Sequence, residues 1–188
     1  MDKSVLISIR PKWCEKIASG EKTIEVRKTR PKLETPFKAY IYCTMPDTRD
    51  PHNILELHGA DGKIRKANGK VIGEFTCDRI YELAPLNHAP DDVEKQACLT
   101  REEIVNHLKG TGYGWHIVDL KIYDALKKLG EFWRDCLEYS ELSTNCWSCE
   151  NVCGDGDETD CNTDGRLYLH RPPQSWCYVE AAKEGEKA

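Results

Sequence analysis

The feature that most constrains this chain is a series of short apolar or alternating segments, most of them bounded by glycine, proline, asparagine or aspartate. Period-two alternation places successive side chains on opposite faces of a pleated strand. Residues 23–28 alternate Ile24 and Val26 with Glu25 and Arg27, so the two charged side chains share one face. Residues 5–9 (VLISI), 38–44 (KAYIYCT), 71–81 (VIGEFTCDRIY), 115–123 (WHIVDLKIY) and 176–180 (WCYVE) also read as strands, the last of them after the Pro172-Pro173 turn. Turn signals at Ala60-Asp61-Gly62 and Asn68-Gly69 suit backbone with positive φ.

Two stretches follow helical spacing instead. In residues 11–19, Trp13, Cys14, Ile17 and Ala18 line one side, Pro11 suits a first turn, and Gly20 stands where a left-handed stop is wanted. In residues 91–108, Thr100 and Glu103 have capping-box spacing, and Cys98, Ile104, Val105 and Leu108 form an apolar face. Many short strands with two helical interruptions predict an α+β fold, a small curled β-barrel with helices at its rim.

A length of 188 residues suits one domain, expected over 1–180, with a cysteine-rich acidic insertion at 144–166 and a frayed polar tail at 181–188. No run of about 18 apolar residues is available to cross a bilayer. The first twelve residues lack a secretory apolar segment, and ten cysteines without such a segment read as thiols or metal ligands of a cytoplasmic protein.

A net charge of −5 speaks against coating of duplex nucleic acid, which depends on neutralising many phosphates. The balance is uneven, however. Residues 1–32 carry Lys3, Arg10, Lys12, Lys16, Lys22, Arg27, Lys28, Arg30 and Lys32 against Asp2, Glu15, Glu21 and Glu25. Lys22 and Arg27 supply donors and positive charge, while Glu25 accepts, a set suited to a phosphate and a base edge. Trp13, Trp115 and Trp176 are either stacking platforms for an unpaired base or core residues. The plain alternative for residues 22–27 is a solvated strand face with modest ion pairs.

Gly20, Lys22, Glu25 and Arg27 resemble the G-x-K-x-x-E-x-R signature of ASCH domains, members of the PUA-like barrel superfamily. The lead-in Ser8-Ile9-Arg10-Pro11-Lys12-Trp13 and the closing stretch 172–180 are similar to the ends of small bacterial and phage ASCH proteins, so the resemblance spans most of the chain. It implies a module that binds single-stranded RNA or a nucleotide. Lys22 and Arg27 then meet phosphate or carbonyl oxygens, and Glu25 meets a base edge or orients Lys22. Arg10, Lys28, Gln174 and Ser175 follow as secondary contacts.

One ASCH branch resembles amidohydrolases of acetylated cytidine, which use a lysine, a threonine three residues later and a helical glutamate. Lys22 matches, but Glu25 stands at the threonine position and Glu94 is only the nearest glutamate. ASCH ribonucleases make RNA cleavage a further option, with His116 and Lys22 as proton-transfer partners; in any enzymatic reading Lys22 and Glu25 are the catalytic candidates. A third class is a protein-interaction or regulatory factor that makes contact through the insertion.

Within the insertion, Cys146, Cys149, Cys153 and Cys161 place four thiolates in sixteen residues, enough to close a tetrahedral structural zinc site. Free thiols or an occasional disulfide are the alternative. Cys14, Cys43, Cys77, Cys98, Cys136 and Cys177 read mostly as small buried hydrophobes.

Overall fold

The computed structural model describes residues 3–46, 53–59, 61–83, 88–136 and 165–181. Strand β1 (Ser4–Ile9) ends at Arg10, and Pro11 opens helix α1 (Pro11–Ala18). Gly20, at φ +78°, then turns the chain toward β2 (Ile24–Arg27). The order continues with β3 (Phe37–Cys43), the hairpin β4 (Glu56–His58) and β5 (Ile64–Lys66), β6 (Lys70–Glu82), α2 (Val93–Ala97) and α3 (Arg101–Leu108). Then follow β7 (Tyr113–Lys127), a single 3-10 turn at Leu129–Glu131, β8 (Phe132–Asp135), β9 (Arg166–Tyr168) and β10 (Trp176–Ala181).

Eight strands form one sheet in the order β2-β7-β6-β3-β1-β10-β8-β9, with β1 and β3 parallel and the other pairs antiparallel. The fold is α+β, as the strand pattern predicted, but the expected barrel is not closed. Among the described residues β2 and β9 are free edges of the sheet. The sheet curls without closing. Register shifts break the long β6–β7 pair in three places, and such bulges raise local twist. Gly73 belongs to the same region, where a Cβ would collide with the backbone oxygen of Lys121.

The helical stretch expected over 91–108 is two helices. Cys98 adopts φ +52° and ends α2, and the reciprocal Thr100–Glu103 capping box then starts α3. Ile24 and Val26 of β2 pack with Leu83, Val93, Ala97, Ile104 and Leu108, which fixes both helices beside the edge strand. Each such large apolar side chain contributes about 1.5–3 kcal/mol when fully buried. The main core joins Val5, Ile7 and Ile9 to Cys14 and Ile17 of α1 and to Phe75 and Trp115. No helix among the described residues is long and apolar enough to cross a membrane. Cys146, Cys149, Cys153 and Cys161, and all of the tail except Ala181, lie outside the described residues.

Candidate functional site

Three charged residues from one short segment meet under the α1–β2 turn. Lys22 is 2% exposed, and its ammonium donates to the carbonyl of Ile24 at 2.8 Å and to that of Ala97 at 2.7 Å. It also stands 3.4 Å from Oε2 of Glu25 and 5.2 Å from the centre of the Trp13 ring. Two backbone carbonyls accept from this ammonium, and the Glu25 carboxylate lies beside it as an ion pair. Lys22 also lines the cavity described below.

Glu25, 6% exposed, forms an ion pair through its other oxygen with Nη2 of Arg27 at 2.9 Å. Nη2 of Arg27 also reaches across the curl of the sheet to the carbonyl of Ser8 at 2.6 Å, while Nη1 lies 3.4 Å from the Ser175 hydroxyl. Arg27 Nε is buried without a partner. Two cations and one carboxylate leave a single net positive charge below the surface, and buried charges are expensive unless paired.

A cavity of about 640 Å³ lies above Lys22, Glu25 and Arg27, within the range of about 300–1,000 Å³ usual for small-molecule sites. Its walls come from Ser8, Arg10, Trp13, Val26, Thr44, Leu99, His107, Pro172, Pro173 and Gln174. Arg10 is exposed and Trp13 is half-buried at this rim. The cavity thus brings together Arg10, Trp13, Lys22, Glu25, Arg27 and Gln174 from distant parts of the chain.

Other expected residues stand elsewhere. Trp115 is fully buried, edge-on to Phe37 at 5.7 Å and tilted against Trp176 at 6.1 Å, so it is a core residue and not a stacking platform. Trp176 donates its indole N–H to Thr29 and does not line the cavity. Lys28 is exposed and outside the lining, and Ser175 acts on the cavity only through Arg27. His116 lies 2.7 Å from Asp78 and away from the cavity, so the Lys22–His116 pair is not assembled. Glu94 accepts the backbone N–H of Arg101 at the start of α3 and is likewise absent from the lining.

Sequence reasoning missed His107. It follows the buried Ile104 by three positions and so flanks the packed stripe of α3, a phase that the Thr100 cap already set. Partial desolvation, then the charges of Lys28, Arg27 and Arg10, hold its pKa below the usual histidine value, with Glu25 opposing. Thr44 and Leu99 were missed as well, since they reach the cavity only through the fold. Burial pushes the thiol of Cys14 well up, that of Cys77 to about 12 and that of Cys177 to about 11, in keeping with inert packed cysteines. No cluster of metal-ligating side chains occurs among the described residues.

No family model and no curated protein matches the chain. Solved structures do match. The ASCH protein of Zymomonas mobilis superposes with a TM-score of 0.53 at 15% identity, covering 94% of this chain and 87% of that one. Its tyrosine-to-phenylalanine and serine-to-alanine variants give the same score and identity, with 94% of this chain covered against 90% and 88% of theirs. Over 94% of its length, therefore, this protein shares the fold of those ASCH structures.

Proposed function

We propose that the protein is a recognition module that binds single-stranded RNA or a nucleotide in the cavity floored by Lys22, Glu25 and Arg27. The observation that carries this reading is a buried carboxylate clamped by two cations at the base of an open hollow, with net positive charge left over. Glu25, fixed on both sides, accepts an amino group at a base edge. Arg10 at the mouth meets phosphate, and Trp13 offers a face to the base. Lys22 positions Glu25 and does not touch the ligand. In this reading the curled sheet serves as the open form of a PUA-like barrel, and the protein works in the cytoplasm.

Titration of the protein with nucleoside monophosphates and short single-stranded RNA by calorimetry tests the proposal. Binding should weaken with salt, and Arg10→Glu, an exposed change, should weaken it at least tenfold while leaving the thermal midpoint in place. Absence of binding across the panel would rule out the cavity as a nucleotide site.

A hydrolase acting on RNA or a modified nucleoside is a second reading, favoured by His107: its lowered pKa keeps the imidazole neutral and able to accept a proton at the cavity wall. Mass spectrometry of RNA and modified nucleosides after incubation would show new products, lost in His107→Ala. Zinc at Cys146, Cys149, Cys153 and Cys161 is a separate proposal, tested by metal analysis of the protein before and after their replacement by serine.

A further inference from the structure

The segment between β2 and β3, together with β6, encloses a second hollow of about 620 Å³, lined by Arg30, Lys32, Leu33, Glu34, Arg79 and Ile80 among others. Three cations face one carboxylate there. None of Arg30, Lys32 and Arg79 forms an ion pair among the described residues. Arg30 lies over the ring of Tyr113 at 5.6 Å and Arg79 over that of Tyr81 at 5.9 Å. Each guanidinium is within cation–π reach of its ring and outside any ion pair among the described residues, which leaves N–H donors for an oxyanion.

This segment is tied down. Lys32 donates its backbone N–H to the Tyr178 hydroxyl at 2.7 Å, and Trp176 donates to the Thr29 hydroxyl at 3.0 Å, so β10 anchors the segment on both sides of Arg30. The two linings share no residue, but a short stretch of chain joins Arg27 of the first to Arg30 of the second. Arg27 and Arg30 are three residues apart, which limits their backbone separation to about 11 Å. Tyr113 pairs with Arg27 in the sheet and carries Arg30 over its ring.

We propose that the second hollow is a phosphodiester subsite, and that the ligand is a single-stranded oligonucleotide with one nucleotide in the first cavity and an adjoining phosphate against Arg30, Lys32 and Arg79. This rests on the nucleotide reading of the first cavity and narrows it, because a nucleoside or monophosphate occupies only that cavity. A duplex is disfavoured: it presents a phosphate about every 1.7 Å of its axis and needs a broad basic face, whereas this chain has a net charge of −5.

The test compares a mixed nucleoside 5′-monophosphate pool, a single-stranded RNA hexamer, its DNA counterpart and an acidic hexapeptide, using the full chain and the variants R30E/R79E and K32Q. The wild-type protein should bind the hexamers at least tenfold more tightly than the monophosphates. R30E/R79E should remove that advantage while leaving monophosphate affinity unchanged. Each lost phosphate contact should flatten the salt dependence by about 0.7 in the slope of log affinity against log salt. K32Q, which keeps both arginines, should show an intermediate loss and serves if the double variant melts early. Equal binding of RNA and DNA supports the subsite, since both carry the phosphodiester. Overturning results are hexamers no tighter than monophosphates, hexamer binding untouched in both variants, or an acidic peptide that competes equally well. Monophosphates that bind without any hexamer advantage leave the first cavity standing and remove only the second; binding by neither removes both.

Discussion

Glu21 and Lys22 are neighbours in the chain, yet they belong to two different kinds of ion pair. Glu21 is 60% exposed and bonds Lys16 at 2.8 Å in solvent, whereas Lys22 is buried against Glu25, itself held by Arg27. Water screens the first pair, and its Lys16 partner holds the Glu21 carboxyl below its usual pKa without making it a structural element. The second pair has lost its water, so every acceptor around it matters. Proximity of opposite charges is thus common to a solvated pair and to a buried cluster; burial separates them.

Removal of a buried partner should have the largest effect. Lys22→Ala strips Glu25 of one of its two cations and leaves the carbonyls of Ile24 and Ala97 without their donor. A loss of about 3–5 kcal/mol in urea unfolding is expected. A loss close to zero would mean that water reaches this floor and that the two kinds of pair do not differ.

Glu25→Gln keeps the shape but leaves two cations without a counter-charge, and about 1–3 kcal/mol should go. Binding of bases that present an amino group should fall with it, which calorimetry reads separately from stability. Arg27→Lys comes next. One ammonium cannot serve Glu25, Ser8 and Ser175 in the fork geometry of a guanidinium, so about 1 kcal/mol is expected for the hydrogen bond lost.

A smaller effect belongs to pH. His107 has its pKa lowered in the folded state, so the unfolded chain binds the proton more readily. The stability this group contributes is present above its unfolded pKa of about 6.5 and is lost as pH falls through the lower folded value. The urea midpoint should therefore drop less in His107→Gln than in the wild type between neutral and mildly acidic pH. An anion in the cavity favours protonated His107, so ligand affinity should move the opposite way and rise as pH falls. Smallest of all, Glu21→Ala should leave the urea midpoint unchanged within error, and a measurable drop would erase the distinction drawn between the two pairs.

How much of this was legible in the sequence depended on the range of the cause. Alternation in residues 23–28 placed Glu25 and Arg27 on one face, and the structure keeps them there as an ion pair. Pro11 and Gly20 bounded α1, and Thr100 with Glu103 capped α3, because each signal acts within a few residues. The strands β4, β5 and β9 have three residues each, too few for a period to show, and β8 buries Phe132 and Trp133 side by side without alternation, so pairing supplies what their pattern lacks. The break at Cys98 escaped notice because a left-handed cysteine carries no glycine to announce it.

By itself the sequence determined the α+β character, the limits of α1, the cap of α3 and the run of charged residues at 22–27, all set by backbone preference and side-chain periodicity. Only the tertiary structure decided that Lys22 is buried and bonded to the carbonyls of Ile24 and Ala97, that Trp115 is core while Trp13 stays at the rim, and that His107 and residues 172–174 complete the cavity. The physical reason is that burial and long-range approach are properties of the folded sheet: its curl carries Arg27 to Ser8, and no spacing along the chain encodes that distance.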